Sequence, residues 1–176
     1  NLPEKKDTPS YTNVIKHTLT LCAKMQDRMV LIDTPKGLDS PPKSTTWTSY
    51  RGSLSNANLS YGAAYYPLLE TSLAFQFDEA SIVNIQSANK TLAQLKSAGD
   101  ALYNEAIQLL RDTQKEILPP SAALAGVYAA TDRTKGVWKA PANVTLQGVV
   151  QPTVASTDKE QGALNVDPTS GKSINA

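Results

Sequence analysis

The chain has 176 residues, 40% of them hydrophobic and 19% charged, which fits one globular domain with its own core and excludes a disordered tail. Seventeen basic residues against sixteen acidic ones leave a net charge of +1, so the totals show neither a nucleic-acid footprint nor a funnel for an acidic substrate. A single cysteine and a single histidine exclude a disulfide framework and leave too few soft ligands for zinc, so no metal and no cofactor is expected.

Residues 11–26 predict an amphipathic helix, because Val14, Ile15, Leu19, Cys22 and Met25 recur every three or four positions. "MVLID" at 29–33, closed by the turn text "TPKG", reads as a short strand buried on both faces. Residues 37–58, rich in Ser, Thr and Pro, read as a long surface loop. "YGAAYYPLLE" at 61–70 has strand character, and Pro67 requires an edge, a bulge or the strand's end there. "LAFQF" and "SIVNI" are weaker strand candidates.

Between 89 and 115 the spacing of Leu92, Leu95, Gly99, Leu102, Ala106 and Leu109 predicts one long helix or a helical pair hinged near Gly99. It docks on the same domain or projects toward another chain. A further helix is predicted from Ser121, as N-cap, to about Thr134. Its first three turns carry no charge, so little contact with water is expected, and Ala122, Ala123, Ala125 and Gly126 would let a neighbouring backbone approach closely. Beyond Gly136 the text reads as extended pieces, "GVWK" and "TLQGVVQ", and then as a polar stretch to Asn175.

Several fragments imitate catalytic motifs. "SGKS" at 170–173 ends like a phosphate loop, but Val166 stands where that loop needs a glycine. Asp33, at a strand end, has no phosphate cradle beside it and reads as a turn-capping or ion-pairing residue. At about 100° per residue, His17 falls on the polar face of its helix, away from any shielded nucleophile. Cys22 lies on the apolar arc and reads as core. Asn58, Asn89 and Asn143 begin glycosylation sequons by pattern only. No catalytic residue is assigned. The run 117–131, broken by Pro119 and Pro120, is too short to cross a bilayer, so no membrane insertion is expected. No leader pattern opens the chain, and both ends read as cuts in a longer polypeptide.

"LPPSAALAGVYAATDRTKGVWKAPAN", 26 contiguous positions at 118–143, resembles the signature of contractile tail sheath proteins of myophages, tailocins and extracellular contractile injection systems. "CAKMQDRMVLIDTP" and "YGAAYYPLL" are similar to two further stretches of that family. Ala122 stands where glycine is frequent there, Leu68 where tryptophan is common, and Lys135 where arginine is usual. The resemblance implies an α/β fold: a subtilisin-like three-layer sandwich with a central mixed, mostly parallel sheet flanked by helices, and no proteolysis. It implies a core domain over 1–176, incomplete at both ends, with a helical insertion at 86–117. It further implies a structural subunit and no enzyme, forming stacked hexameric rings around an inner tube and contracting to drive the tube through a target envelope. The implied partners are other sheath subunits, the tube and a baseplate, with no nucleic acid. The implied setting is the bacterial cytoplasm for assembly, then a phage tail (virion), tailocin or extracellular particle.

On this reading Gly126, Tyr128 and Trp138 pack the core, with Trp138 covering apolar surface. Asp132, Arg133, Lys135 and Lys139 are ordinary solvated charges or meet a neighbouring subunit or the tube. The alternative is an α/β hydrolase or nucleotide-binding enzyme whose catalytic residues lie outside this sequence.

Overall fold

The computed structural model describes residues 8–35, 44–74, 76–80, 82–85 and 88–176. Helix α1 (Thr8–Met25) precedes strand β1 (Val30–Asp33), as the periodicity predicts. Ile15, Leu19 and Cys22 of α1 are buried. Val14, Leu21 and Met25, one arc further round the helix, are exposed.

β1 lies at the edge of a parallel three-stranded sheet, in the order β1, β2 (Gly62–Tyr65), β8 (Ile174–Asn175). That position corrects the expectation of a strand buried on both faces. Only Ile32 of β1 is buried and its other three residues are half-buried, although α1 and α5 both pack against the strand. Gly62 sits where α1 crosses the sheet, and a Cβ there would come within 2.8 Å of Leu19 Cδ2 and 3.1 Å of Ile32 Cδ1. β2 ends before the cis Tyr66–Pro67 bond, as Pro67 requires.

The chain then enters a second, antiparallel sheet of three strands, with β3 (Leu69–Ala74) between β6 (Lys115–Leu118) and β7 (Val149–Pro152). The described residues therefore form a mixed α/β fold with two separate three-stranded sheets and a hairpin of β4 (Ile82–Ile85) and β5 (Ala88–Thr91), in place of one central sheet. Between β5 and β6 run α3 (Leu92–Ser97) and α4 (Leu102–Thr113). They form the pair anticipated around Gly99, whose φ of +62° lies in the left-handed region. Leu92 and Leu95 are buried, Leu102 and Ala106 half-buried and Leu109 64% exposed, so the burial of the predicted stripe falls off along α4, where Ile107 is the buried residue.

The predicted loop at 37–58 lies outside the described residues up to 43 and is then corrected by helix α2 (Ser44–Ser53). Trp47 and Tyr50, one helical turn apart, are buried with Tyr66, Val154, Leu164 and Ile174. Their burial overrides the poor helix propensity of "STTWTSYRGS". Similarly, the polar stretch after 156 contains α6 (Asp158–Asn165), opened by a capping box between Thr157 and Glu160, and then β8.

Candidate interaction surface

Helix α5 (Pro120–Lys135) carries the first half of the signature, and its inner side meets the carboxyl ends of β1 and β2. Asp33 ends β1 with its carboxylate turned to the start of α5. Oδ1 accepts the Ser121 backbone N–H at 2.9 Å, and Oδ2 accepts the Ser121 hydroxyl at 2.6 Å. The N-cap position is Pro119, which offers no side-chain cap, so Ser121 is corrected from cap to the capped residue. A carboxylate 88 residues earlier supplies what the local sequence lacks.

Around this contact the Tyr11 hydroxyl donates to the Asp33 backbone oxygen at 2.7 Å. Burial, reinforced by the nearby Asp33 charge, pushes the Tyr11 phenol up to about 12. Thr34 Oγ1 donates to the Tyr65 carbonyl at 3.1 Å, and the Tyr65 and Tyr128 hydroxyls are joined at 2.8 Å. Burial and then the bond to Tyr128 raise the Tyr65 phenol, while burial and then Tyr11 and Asp33 raise that of Tyr50. The carboxyl ends of parallel strands are where open α/β sheets bind ligands. Here the helix start and its tyrosines stand at that place, and Asp33 is engaged by the backbone.

The lysine of "SGKS" is engaged too. Lys172 is buried, and its ammonium donates to the carbonyls of Arg51 at 2.7 Å and Leu54 at 2.8 Å, at the end of α2. Arg51 in turn donates to the carbonyls of Lys172 at 2.9 Å and Leu164 at 2.6 Å. The Ser170 hydroxyl, together with the Lys172 and Thr169 amides and Arg51, holds the Asp167 carboxyl down at about 2. This loop braces α2, α6 and β8 together.

The outer side of α5 is the exposed half of the signature. Val127 and Thr131 are buried and Tyr128 half-buried, whereas Ala122, Ala125, Gly126 and Ala129 lie outward in one uncharged stripe. Gly126 is thereby corrected from core: it is exposed, and a Cβ there would meet nothing within 4 Å. Asp132, Arg133, Lys135 and Lys139 are all exposed, and none takes part in an ion pair among the described residues.

Trp138 is corrected as well. "GVWK" is a turn, not an extended piece, closed by the Lys139 N–H on the Gly136 carbonyl at 3.1 Å. Gly136, at φ +93°, lets the indole fold back over its own α-carbon, where a side chain would otherwise sit. The result is an apolar tip in which Val137 is 80% and Trp138 85% exposed. Of the residues expected to pack inward, only Tyr128 does so, through its bond to Tyr65.

Among the described residues no cluster of His, Cys, Asp and Glu could hold a metal, and no helix is long and apolar enough to cross a membrane. No family model matches the chain, and no curated protein matches it. Among solved structures, the chain is similar to one from an extracellular contractile injection system, the PVC sheath complex in its contracted state. The identity is 25% and the TM-score 0.46, over 77% of this chain and 26% of that one. This chain therefore spans about a quarter of the length of the chain it matches.

Proposed function

We propose that this chain is part of a structural subunit of a contractile sheath, and that its copies stack as hexameric rings around an inner tube. The observation that carries the proposal is the signature at 118–143 and its division into two faces. Its inner face is fastened to β1 and β2 through Asp33 and Tyr128, and its outer face carries an uncharged helical stripe, an exposed tryptophan and four exposed charges. Surface helices ordinarily put charged residues outward, so three outward turns without one favour a face that meets protein.

In this reading the tube, the baseplate and further sheath subunits are the partners, and the work comes from the free-energy difference between two packings of rigid subunits. No reaction at a pocket is required. A helical insertion at 86–117 belongs to the same proposal, as do assembly in the bacterial cytoplasm and a place in a phage tail, tailocin or extracellular particle. The carboxylate and lysine that an enzyme reading would have used are both held by backbone groups, so no second reading is favoured.

The test is electron microscopy of the full-length protein co-expressed with its neighbouring tube gene. Long striated cylinders that shorten and widen on triggering are expected, and a soluble monomer that leaves tubes bare overturns the proposal. In the same system, charge reversal at Lys135 with Lys139 is expected to shorten or abolish the cylinders. Normal-length contractile sheaths from that variant would remove these residues from the interface.

A further inference from the structure

We infer that the cavity between α2 and the parallel sheet binds a small monocarboxylate with an apolar body. The cavity has a volume of about 210 Å³. Leu19 and Ile32 line it from one core cluster and Tyr50 and Ile174 from the other, while Leu54 and Ala64 pack against both clusters. The sequence leaves this space open: β2 brings only Gly62, Ala63 and Ala64 to the wall, and β8 pairs with β2 only from Ala64 onward. Gly171, Ser173 and Asn175 are the exposed residues of the lining, so the cavity opens to solvent beside β8.

Arg51 and Lys172 are the charged residues of the lining, which holds no acidic side chain. Lys172 is 8% exposed, and of the three N–H groups of its ammonium it gives two to the carbonyls of Arg51 and Leu54. Among the described residues no carboxylate lies within ion-pair distance of it. Arg51 differs, because its Nε lies 4.0 Å from Asp167 and its guanidinium is engaged by the carbonyls of Ala163, Leu164 and Lys172. A buried charge is costly unless it is paired, so Lys172 is the uncompensated one beside this space. A carboxylate offers it both the missing acceptor and the opposite charge. Tyr50 adds a second unused donor to the wall: it is 5% exposed, and its hydroxyl has no hydrogen-bond partner.

The remainder of the wall is formed by Leu19, Ile32, Leu54, Leu59 and Ile174, which select against a strongly hydrated inorganic anion. A cavity of about 150 Å³ accepts a benzene ring, so the space here admits one ring, or a short branched chain, with a carboxylate attached. Ordinary ligand sites measure roughly 300–1,000 Å³, and a molecule small enough for this one is expected to bind with a Kd of roughly 0.1–1 mM.

Ligand-observed fluorine NMR on the full-length protein tests this, with para-fluorobenzoate as the anionic probe and para-fluorotoluene as its neutral counterpart. Saturable broadening of the fluorobenzoate signal is expected, with an affinity at least tenfold above that of fluorotoluene. Leu59→Trp, which fills the cavity, should abolish binding of both probes while its circular dichroism matches the parent protein. Lys172→Met keeps the apolar stem and removes the charge, so it should lose the preference for fluorobenzoate and still bind fluorotoluene. Where either variant fails to fold, the ratio of the two probes on the parent protein decides. Fluorobenzoate broadening that persists in folded Leu59→Trp would place the anion on the exposed cations and overturn the inference. Equal affinity for the two probes, or no saturation below about 10 mM fluorobenzoate, would overturn it as well.

Discussion

Replacing Asp33 by alanine removes the carboxylate that both caps α5 and ties it to β1. The two bonds run from the Ser121 amide at 2.9 Å and the Ser121 hydroxyl at 2.6 Å. Hydrogen bonds to a charged group contribute about 1.5–3 kcal/mol, an N-terminal cap about 0.5–2 kcal/mol, and a negative charge at a helix start about 0.3–1 kcal/mol. These figures describe one contact from three sides and overlap, so the expected loss is about 2–3 kcal/mol. For a chain of this size that corresponds to a fall in Tm of roughly 4–12 °C. Urea unfolding followed by circular dichroism should show a lower midpoint with an unchanged slope, because the native surface is the same. Asp33→Asn keeps one acceptor oxygen for the amide and should lose about half as much. A double-mutant cycle with Ser121→Ala isolates the hydroxyl bond, and a coupling of about 1 kcal/mol or more is expected. Asp33→Ala within about 0.5 kcal/mol of the parent protein, the range of an ordinary surface change, would refute the fastening role.

Gly62→Ala places a methyl group against Leu19 and Ile32 under α1, and unfolding should show a loss of about 1–3 kcal/mol from overpacking. Tyr11 is held at about 12 against about 10 in the unfolded chain, so its contribution is complete below pH 10 and is lost as pH rises through 12. Phenolate absorbance should resolve late-titrating tyrosines, and all seven titrating together near pH 10 would contradict the buried cluster. The Asp167 carboxyl, held at about 2, stabilises the fold above its unfolded value near 3.9 and ceases to do so as pH falls through 2. Asp167→Asn should therefore be less stable at neutral pH and should flatten the stability profile between pH 4 and 2; an unchanged profile would remove the brace.

The strongly periodic and strongly punctuated segments were legible: α1, the end of β2 at Pro67, and the α3–α4 pair about Gly99. Helix α2 was hidden because its Ser and Thr residues read as loop, although the spacing of Trp47, Tyr50 and Leu54 was the available signal. Strand β8 has two residues and no pattern of its own, since it exists by pairing with β2 and by the Arg51 and Lys172 brace. The inner half of the signature was partly readable through its apolar residues, but the cap on Ser121 comes from Asp33, and no local rule reaches 88 positions back. Trp138 misled because an indole between valine and lysine ordinarily covers its own domain's apolar surface. Gly136 was the overlooked signal: its positive φ turns the tip away from the body.

The way β8 is held bears on whether the body can move as a unit. Two ladder residues give the strand little purchase, since an ordinary hydrogen bond adds only about 0.5–1.5 kcal/mol net. Arg51 and Lys172 fix it instead by crossing 121 positions and bonding reciprocally to each other's backbone carbonyls. The carbonyls they reach lie at the ends of α2 and α6, so each cation also meets the negative end of a helix. Two stretches more than a hundred positions apart, the end of α2 and the run from α6 to β8, thus share one polar knot, and neither can shift without leaving a buried charge unpaired, which costs several kcal/mol. On the sheath reading, rearrangement then falls on contacts between subunits, where the α5 face and the Trp138 tip lie, because the connections inside the body are the harder ones to break.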